Sequence, residues 1–339
     1  MILVTGGTGL VGAHLLHKLT ENGEKPVALI RPGSDKMKTL RVFSFYSKDP
    51  QTLFNSIKWI EGDILDYHSI IIATKGITHV YHCAASVSFQ SSDSLTLTEI
   101  NFQGTINVVN ACLENQIKKL VHVSTIGTLG RADSSGIVTE ETYWNNKKSS
   151  VYSTSKYHAE MEVWRGIAEG LNAVIINPSI ILGPGDWSSG SSKLFATMYN
   201  GLKFYSKGTN GFVDVRDVAD SLIKLMESNI TGERFIINSE NISYEELFTV
   251  MAKEMNIAPP RYKATKLMSE IVWRILWVKG KVTGRKSTIT KETAETANQK
   301  YQYSNEKILQ GIDMDFIPVL ESVRQTAKIF LKEQNNKLV

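Results

Sequence analysis

The chain has 339 residues, 42% of them hydrophobic and 21% charged, with a formal net charge of +4. That composition suits a globular protein with a sizeable core and excludes a chain disordered over most of its length. Basic and acidic side chains are interspersed rather than blocked, so no nucleic-acid partner is expected.

The first residues, M-I-L-V-T-G-G, read as a buried strand over Ile2 to Val4 running straight into a glycine loop, which predicts that no leader peptide precedes the fold. A helix follows from Leu10 to Glu21, then a strand from Pro26 to Ile30. Apolar runs at Lys58 to Glu61, His79 to Cys83, Leu120 to Ser124 and Ala173 to Asn177 continue the alternation, with helical stretches between them. Strands that are apolar on both faces and alternate with helices predict an α/β fold, a doubly wound parallel sheet of the Rossmann type.

Beyond Pro178 the alternation loosens. A Gly/Ser-rich loop, G-P-G-D-W-S-S-G-S-S, spans Gly183 to Ser192. Helices are predicted at Lys193 to Asn200, Val218 to Glu227, Tyr244 to Met255, Leu267 to Val278 and Ile317 to Leu331. The expected organisation is a nucleotide domain over residues 1–180 and a smaller, mainly helical substrate part over 181–339, with the chain re-entering the first domain around 211–240.

The segment Leu267 to Val278, interrupted by Glu270 and Arg274, falls short of the ~20 apolar residues of a membrane span. It reads as an amphipathic helix packed on the small domain, with a membrane surface or an apolar substrate entrance as the other options. The basic run after it, Lys279, Lys281, Arg285 and Lys286, reads as a solvated loop, contact with an anionic ligand or membrane surface being the alternative. Cys83 and Cys112 sit among apolar neighbours, which predicts buried free thiols, no metal site and a reducing, cytoplasmic setting.

In T-G-G-T-G-L-V-G, the glycines Gly6, Gly9 and Gly12 stand between the first strand and the first helix, the context that a dinucleotide fingerprint requires. Glycine permits the tight turn and the close approach of backbone to a pyrophosphate, whose charge the helix N-terminus attracts. About 20 residues on, where an acidic residue would select NAD, the chain has Arg31. A guanidinium can fork around a 2′-phosphate, which favours NADP(H); the alternative is that Arg31 stacks on the adenine of NAD.

Tyr152 and Lys156, in Y-S-T-S-K, are four residues apart in a predicted helix and share one face. A neighbouring ammonium favours the phenolate, so the pair is suited to proton transfer. Ahead of it, V-H-V-S-T-I-G-T-L-G closes the fifth strand. The glycine triplet, this hydroxyl-bearing stretch and the Tyr/Lys pair together resemble the extended short-chain dehydrogenase/reductase family. The likeness is nearly continuous from Met1 to Ser192 and weaker beyond, where V-D-V-R-D-V-A carries it.

The resemblance implies roles for particular residues. Thr8, Leu10 and Val11 would join the three glycines at the cofactor, Asp63 and Ile64 would meet the adenine, and the small Ala84 and Ala85 would admit the nucleotide after the fourth strand. Thr125 takes the position of the hydroxyl that orients a substrate carbonyl, with Ser124 just inside it. Lys156 would also hold the nicotinamide ribose, and Pro178 and Ser179 would flank the carboxamide. Asn101 matches a helical asparagine near the nicotinamide, a buried structural role being the alternative. Relatives that handle nucleotide sugars place Arg at Asn177, so this departure weakens a sugar-nucleotide assignment. A-L-I-R-P, S-T-I-G-T and the Asn177-Pro178 pair resemble the dihydroflavonol-reductase-like and 3β-hydroxysteroid-dehydrogenase-like branch.

The implied activity is hydride transfer on a ketone or secondary alcohol of a small, fairly apolar molecule. The alternatives are a nucleotide-sugar epimerase that retains NAD, and a non-catalytic NADP(H) sensor. A sugar 4,6-dehydratase is disfavoured because Ile126 and Gly127 stand where that subgroup has an acidic pair. A homodimer is common in the family, and nothing in the sequence decides it. Asp214, Asp217 and Asp220 read as a helix entry rather than a metal site. His79 and His82 point to opposite faces of one strand, and His158 reads as a helix-surface residue.

Overall fold

The computed structural model describes residues 1–88, 91–130, 136–145, 149–264, 273–274 and 299–337. The chain runs β1 (Ile2–Thr5), α1 (Leu10–Glu21), β2 (Val27–Ile30), α2 (Met37–Tyr46), α3 (Pro50–Asn55), β3 (Lys58–Glu61), α4 (Tyr67–Thr74) and β4 (His79–His82). It continues through α5 (Ser94–Leu97), α6 (Gly104–Glu114), β5 (Lys119–Val123), β6 (Ile137–Val138), α7 (Val151–Ala168) and β7 (Ala173–Pro178). Then come β8 (Ile180–Leu182), α8 (Lys193–Tyr199), β9 (Phe204–Tyr205), β10 (Thr209–Asp214), α9 (Val215–Glu227), β11 (Glu233–Ile237), β12 (Glu240–Ser243) and α10 (Tyr244–Glu254). The remaining elements are β13 (Tyr262–Lys263), β14 (Gln302–Tyr303), α11 (Glu306–Gly311) and α12 (Val319–Lys337).

Seven strands form one sheet in the order β11-β7-β5-β4-β1-β2-β3, and every pairing in it is parallel. The central strand β1 feeds both covering layers because successive side chains leave opposite faces. Leu3 packs with Val27, Ile70, Val108 and Val163 on one side. Val4 packs with Leu15, Leu16, Val218 and Leu222 on the other. The doubly wound parallel sheet expected from the alternation is thus present. Winding reverses between β1 and β4, which opens a crevice at the carboxyl ends of those strands.

After β7 the chain leaves this sheet and returns to its edge at β11, which pairs with β7 from Glu233 opposite Val174 to Ile237 opposite Pro178. The rest builds a separate core of Leu182, Phe195, Phe212, Leu247, Met251, Val319, Val323 and Phe330. This part contains a three-stranded sheet, β12-β10-β8, beside its helices. The segment expected as a helix at 267–278 and the basic run after it lie outside the described residues, apart from Trp273 and Arg274. No helix among the described residues is long and apolar enough to cross a membrane.

Two of the three aspartates join these parts, and the third ties α9 to α1. Asp214 caps α9 by accepting from the Arg216 amide at 2.8 Å, and it also holds the Arg216 guanidinium through Nε and Nη2, each at 2.8 Å. Arg216 Nη1 reaches Gln325 on α12 at 2.6 Å, Asp217 accepts from the Ile317 amide at 2.9 Å, and Asp220 pairs with Lys18 on α1 at 3.0 Å. The cap also explains why α9 starts at Val215, three residues ahead of the apolar periodicity. Asp214→Ala should therefore lower stability by about 2 kcal/mol, the loss of a cap plus a charge-assisted pair. Urea unfolding would measure it, and a change within about 0.5 kcal/mol, the usual surface range, would mean that the cap does not hold this joint.

Candidate active site

Between β1 and α1 the chain turns at Gly6, whose φ of +74° favours glycine, and a Cβ there would lie 2.6 Å from the Ala84 nitrogen just past β4. A Cβ on Gly12 would lie 2.2 Å from the Gly6 carbonyl oxygen. These two positions let the loop after β1, the loop after β4 and the first turn of α1 meet backbone to backbone. Gly9 is the N-cap of α1, and no side chain caps that end. The first-turn amides of Leu10, Val11 and Gly12, with Thr8 ahead of them, therefore present the positive end of the helix dipole to the crevice. Thr39 on α2 holds the loop from behind by donating to the Gly7 carbonyl at 2.9 Å.

Farther along the sheet, Arg31 at the end of β2 and Asp63 just past β3 line one cleft of about 530 Å³ together with Glu61 and Asp66. Arg31 is exposed, and its guanidinium makes no ion pair among the described residues. Asp63 accepts from the Leu65 amide at 3.0 Å, and the Ile64 carbonyl receives Asn107 at 2.8 Å. On the β4 side, the Ala84 amide donates to Thr5 Oγ1 at 3.3 Å, and the exposed Ala85 follows it. Pro178 and Ser179 end β7, and Ser179 Oγ is buried with no hydrogen-bond partner among the described residues. A dinucleotide fits this set: a cradle that any Cβ would fill, an uncapped helix end and an orphaned buried hydroxyl.

The helix α7 opens at Ser150, whose Oγ accepts from the Ser153 amide at 2.8 Å, so Tyr152 lies in its first turn and Lys156 one turn later. Lys156 is fully buried, and its Nζ donates to the Val123 carbonyl at 2.8 Å and lies 3.5 Å from His122 Nε2. Burial lowers its pKa to about 8, while the charge of Glu160 opposes the drop. Burial also pushes the Tyr152 phenol up to about 12. The free protein thus holds a protonated phenol near neutrality, four residues from an ammonium that ionises in the working range.

Thr125 follows β5 closely and caps the 3-10 turn Ile126–Thr128, its Oγ1 accepting from the Gly127 amide at 3.2 Å. Its hydroxyl proton has no acceptor among the described residues and can be given to a carbonyl oxygen. Gly127 packs on the opening of α7, where a Cβ would lie 2.6 Å from Ser153 Oγ. Ser124 turns the other way and donates to Glu160 Oε2 at 2.5 Å. Asn101 sits in a π-helical turn, Thr98–Gln103, with its side-chain amide committed: Oδ1 accepts from the Ser86 amide at 2.7 Å, and Nδ2 donates to the Ser86 carbonyl and Ser155 Oγ. That brace ties the loop after β4 to α7. His82 is likewise structural, with its ring nitrogens 2.8 Å from Thr5 Oγ1 and 3.0 Å from Thr105 Oγ1, and His158 is exposed.

Residues 2–238 match the family model described as the NAD dependent epimerase/dehydratase family. The chain belongs to that family. As a member it is an NAD(P)-dependent enzyme of the extended short-chain dehydrogenase/reductase type. Among curated relatives, it is 28% identical over 249 residues to Sterol demethylase protein B of Methylococcus capsulatus, covering 72% of this chain and 71% of that one. It is 26% identical over 341 residues to Cinnamoyl-CoA reductase 1 of Petunia hybrida, covering 97% and 91%. Among solved structures it resembles gox2253, with a TM-score of 0.82, 26% identity and 98% of each chain covered. It also shares its fold with a UDP-glucose 4-epimerase of Thermotoga maritima, at a TM-score of 0.77 and 18% identity over 98% of this chain and 99% of the other.

Sequence reasoning missed a second group beneath these family positions. Glu160, Asn177, Thr128 and Arg234 form a buried polar network on the far side of the Ser124–Thr128 segment. Glu160 had a local signal, since it lies four residues beyond Lys156 on the same helix face. Arg234 had none, because it arrives on β11, 74 residues away in the chain. For the cradle, Gly12→Ala should lower nucleotide affinity at least about tenfold, or 1.4 kcal/mol, with circular dichroism unchanged. Affinity within twofold of the parent in a fluorescence titration would show that the cradle is not where the nucleotide binds.

Proposed function

We propose that this enzyme reduces a ketone, or oxidises the corresponding secondary alcohol, on a small, fairly apolar molecule, with NADP(H) as its preferred nucleotide. What carries the reading is that Thr125 lies at the opening of α7, the helix on which Tyr152 and Lys156 stand one turn apart, with Lys156 held on the last residue of β5. Two further points favour an apolar substrate over a sugar nucleotide. Asn177, where sugar-handling relatives place Arg, is buried with its amide nitrogen turned to Thr125, Thr128 and Glu160. One relative is also a reductase by name and another acts in sterol demethylation by name. Residues 1–180, with α9 and β11, would hold the nucleotide, and the remaining C-terminal part would select the substrate.

A bound nicotinamide nucleotide supplies or accepts the hydride at the carbonyl carbon. Thr125 donates a hydrogen bond to the carbonyl oxygen and fixes its direction. Tyr152 gives that oxygen a proton during reduction and removes it in the reverse direction. Burial raises the phenol, and the Lys156 ammonium, anchored on the Val123 carbonyl one turn along α7, is the cation that would oppose it in the working complex. Asn101 keeps the loop after β4 against α7 so that these groups stay in register.

The pH dependence follows from the two shifts. Tyr152 is protonated across the neutral range and Lys156 loses its proton near pH 8. Reduction should therefore be flat at low pH and fall as pH rises through about 8, whereas alcohol oxidation should gain with pH. Tyr152→Phe should keep nucleotide affinity and lose roughly a hundred- to ten-thousand-fold in turnover, followed as NADPH oxidation with a panel of aryl and alicyclic ketones. Unchanged turnover would remove Tyr152 from the mechanism.

The nucleotide preference rests on Arg31, whose free guanidinium faces the cleft beyond β2. Glu61 and Asp66 line the same cleft and oppose a phosphate, so the balance is measurable. Arg31→Ala should weaken NADPH binding about tenfold, close to one charge-assisted contact, and leave NADH within twofold. Equal losses for both nucleotides would assign Arg31 to the adenine instead. NAD retained through purification would favour the epimerase reading.

A further inference from the structure

The helix α7 places Tyr152, Lys156 and Glu160 at intervals of four residues, one above the other on a single face. Glu160 has no solvent exposure. Its Oε2 receives Ser124 Oγ at 2.5 Å and Asn177 Nδ2 at 2.9 Å, and lies 2.6 Å from Thr128 Oγ1. Its Oε1 receives Arg234 Nη1 at 3.0 Å. Ser124 and Thr128 bracket Thr125, and Asn177 Nδ2 also reaches the Thr125 carbonyl at 3.2 Å. Among the described residues, the side-chain hydrogen bond onto the Thr125 backbone from outside its own turn comes from Asn177, which Glu160 also holds.

We propose that Glu160 is a positioning residue for the reaction, fixing the Ser124–Thr128 segment from beneath so that the Thr125 hydroxyl faces the reacting oxygen, and placing a carboxylate charge on the Lys156 face of α7. The proposal rests on the Tyr/Lys reading given above. A carboxylate in this position carries a desolvation penalty that its donors must offset. Ser124, Thr128, Asn177 and Arg234 together do so, and all four sit on elements that surround the site rather than on one strand.

The charge acts on Lys156 because the other titratable groups around that ammonium are neutral. His82 on β4 is held at about 3 by burial, and His122 on β5 is held well below the ordinary imidazole range by burial, by the ammonium and by His82. The Cys83 thiol is pushed up to about 12, and Tyr152 stays protonated. Glu160 is left as the charged group that favours the protonated lysine.

Glu160→Gln is the direct test, read on purified enzyme with NADPH and the ketone panel. Turnover should fall roughly ten- to hundredfold, as a small misplacement of an orienting group costs, while the KM for nucleotide stays within twofold. The alkaline limb of reduction should also move to lower pH by at least about 0.5 unit, because removing the negative charge disfavours the ammonium. Thr128→Val separates the two effects and guards against a misfolded Glu160→Gln. It loosens the segment and keeps the charge, so turnover should fall with the limb in place, and Thr128→Ser should restore it. Unchanged turnover in Thr128→Val, or an unmoved limb in a folded Glu160→Gln, would overturn the proposal while Tyr152→Phe still loses activity. Full activity in Tyr152→Phe would overturn the Tyr/Lys reading and this proposal with it.

Discussion

The close backbone approach at the ends of β1 and β4 is the constraint on which the rest depends. Where the winding direction reverses, two neighbouring strands send their chains to opposite faces, and the space between their ends can be filled by a ligand only if protein side chains stay out. Gly6 and Ala84 approach so closely that a Cβ on Gly6 would overlap the Ala84 backbone, and Gly12 brings the helix end against the same loop. The charge that attracts a pyrophosphate is then a property of α1 as a helix, not of any side chain.

The catalytic face is built on the opposite principle, with side chains carrying the work in a buried polar layer. Lys156, His82, His122, Asn101 and Glu160 are all essentially without solvent exposure beneath the carboxyl ends of β4 and β5. Desolvation works against the charged forms of the lysine and the two histidines. It leaves the histidines as neutral rings with hydroxyl or lysine contacts, and it draws Lys156 down toward physiological pH. The low dielectric that makes these groups costly also makes their mutual influence strong, so one carboxylate set a turn beyond the lysine matters to its ionisation.

The parts of the molecule that the sequence made legible are those whose signal is contiguous. The strand–glycine–helix passage at the N-terminus, the Y-x-x-x-K turn and the alternating apolar runs each sit in one short window, and the helix at Leu10–Glu21 ends where its periodicity ends. What could not be read depends on long-range pairing. Arg234 reaches Glu160 only because β11 returns to the edge of β7; a return around 211–240 is expected from the sequence, but nothing near residue 234 says which side chain it meets there. The strands β8 and β12 span three and four residues and are only partly buried, too short to show a period of two. Ser124 was legible as a neighbour of Thr125, but the direction of its hydroxyl was set by a carboxylate 36 residues later.

The way the C-terminal part is attached limits how a change there could reach the proposed catalytic residues. Its core of Phe195, Phe212, Met251 and Phe330 is separate from the layers that cover the main sheet. The links between them are polar and apolar: Arg216 to Gln325, Asp217 to the Ile317 amide, and Arg41 on α2 held by both oxygens of Glu333, which also receives Trp187 at 2.5 Å, beside Ile308, Ile312 and Phe316 packed into the main core and Tyr303 in the cluster that holds Ile126. The polar joints fall on α9 and α2, elements that flank the glycine loop, whereas Tyr303 meets the Ser124–Thr128 segment through the cluster that holds Ile126. A change in the substrate half that preserved these contacts would leave Thr125, Tyr152 and Lys156 in place. A change in α7 or its buried carboxylate would instead reach the chemistry for any substrate.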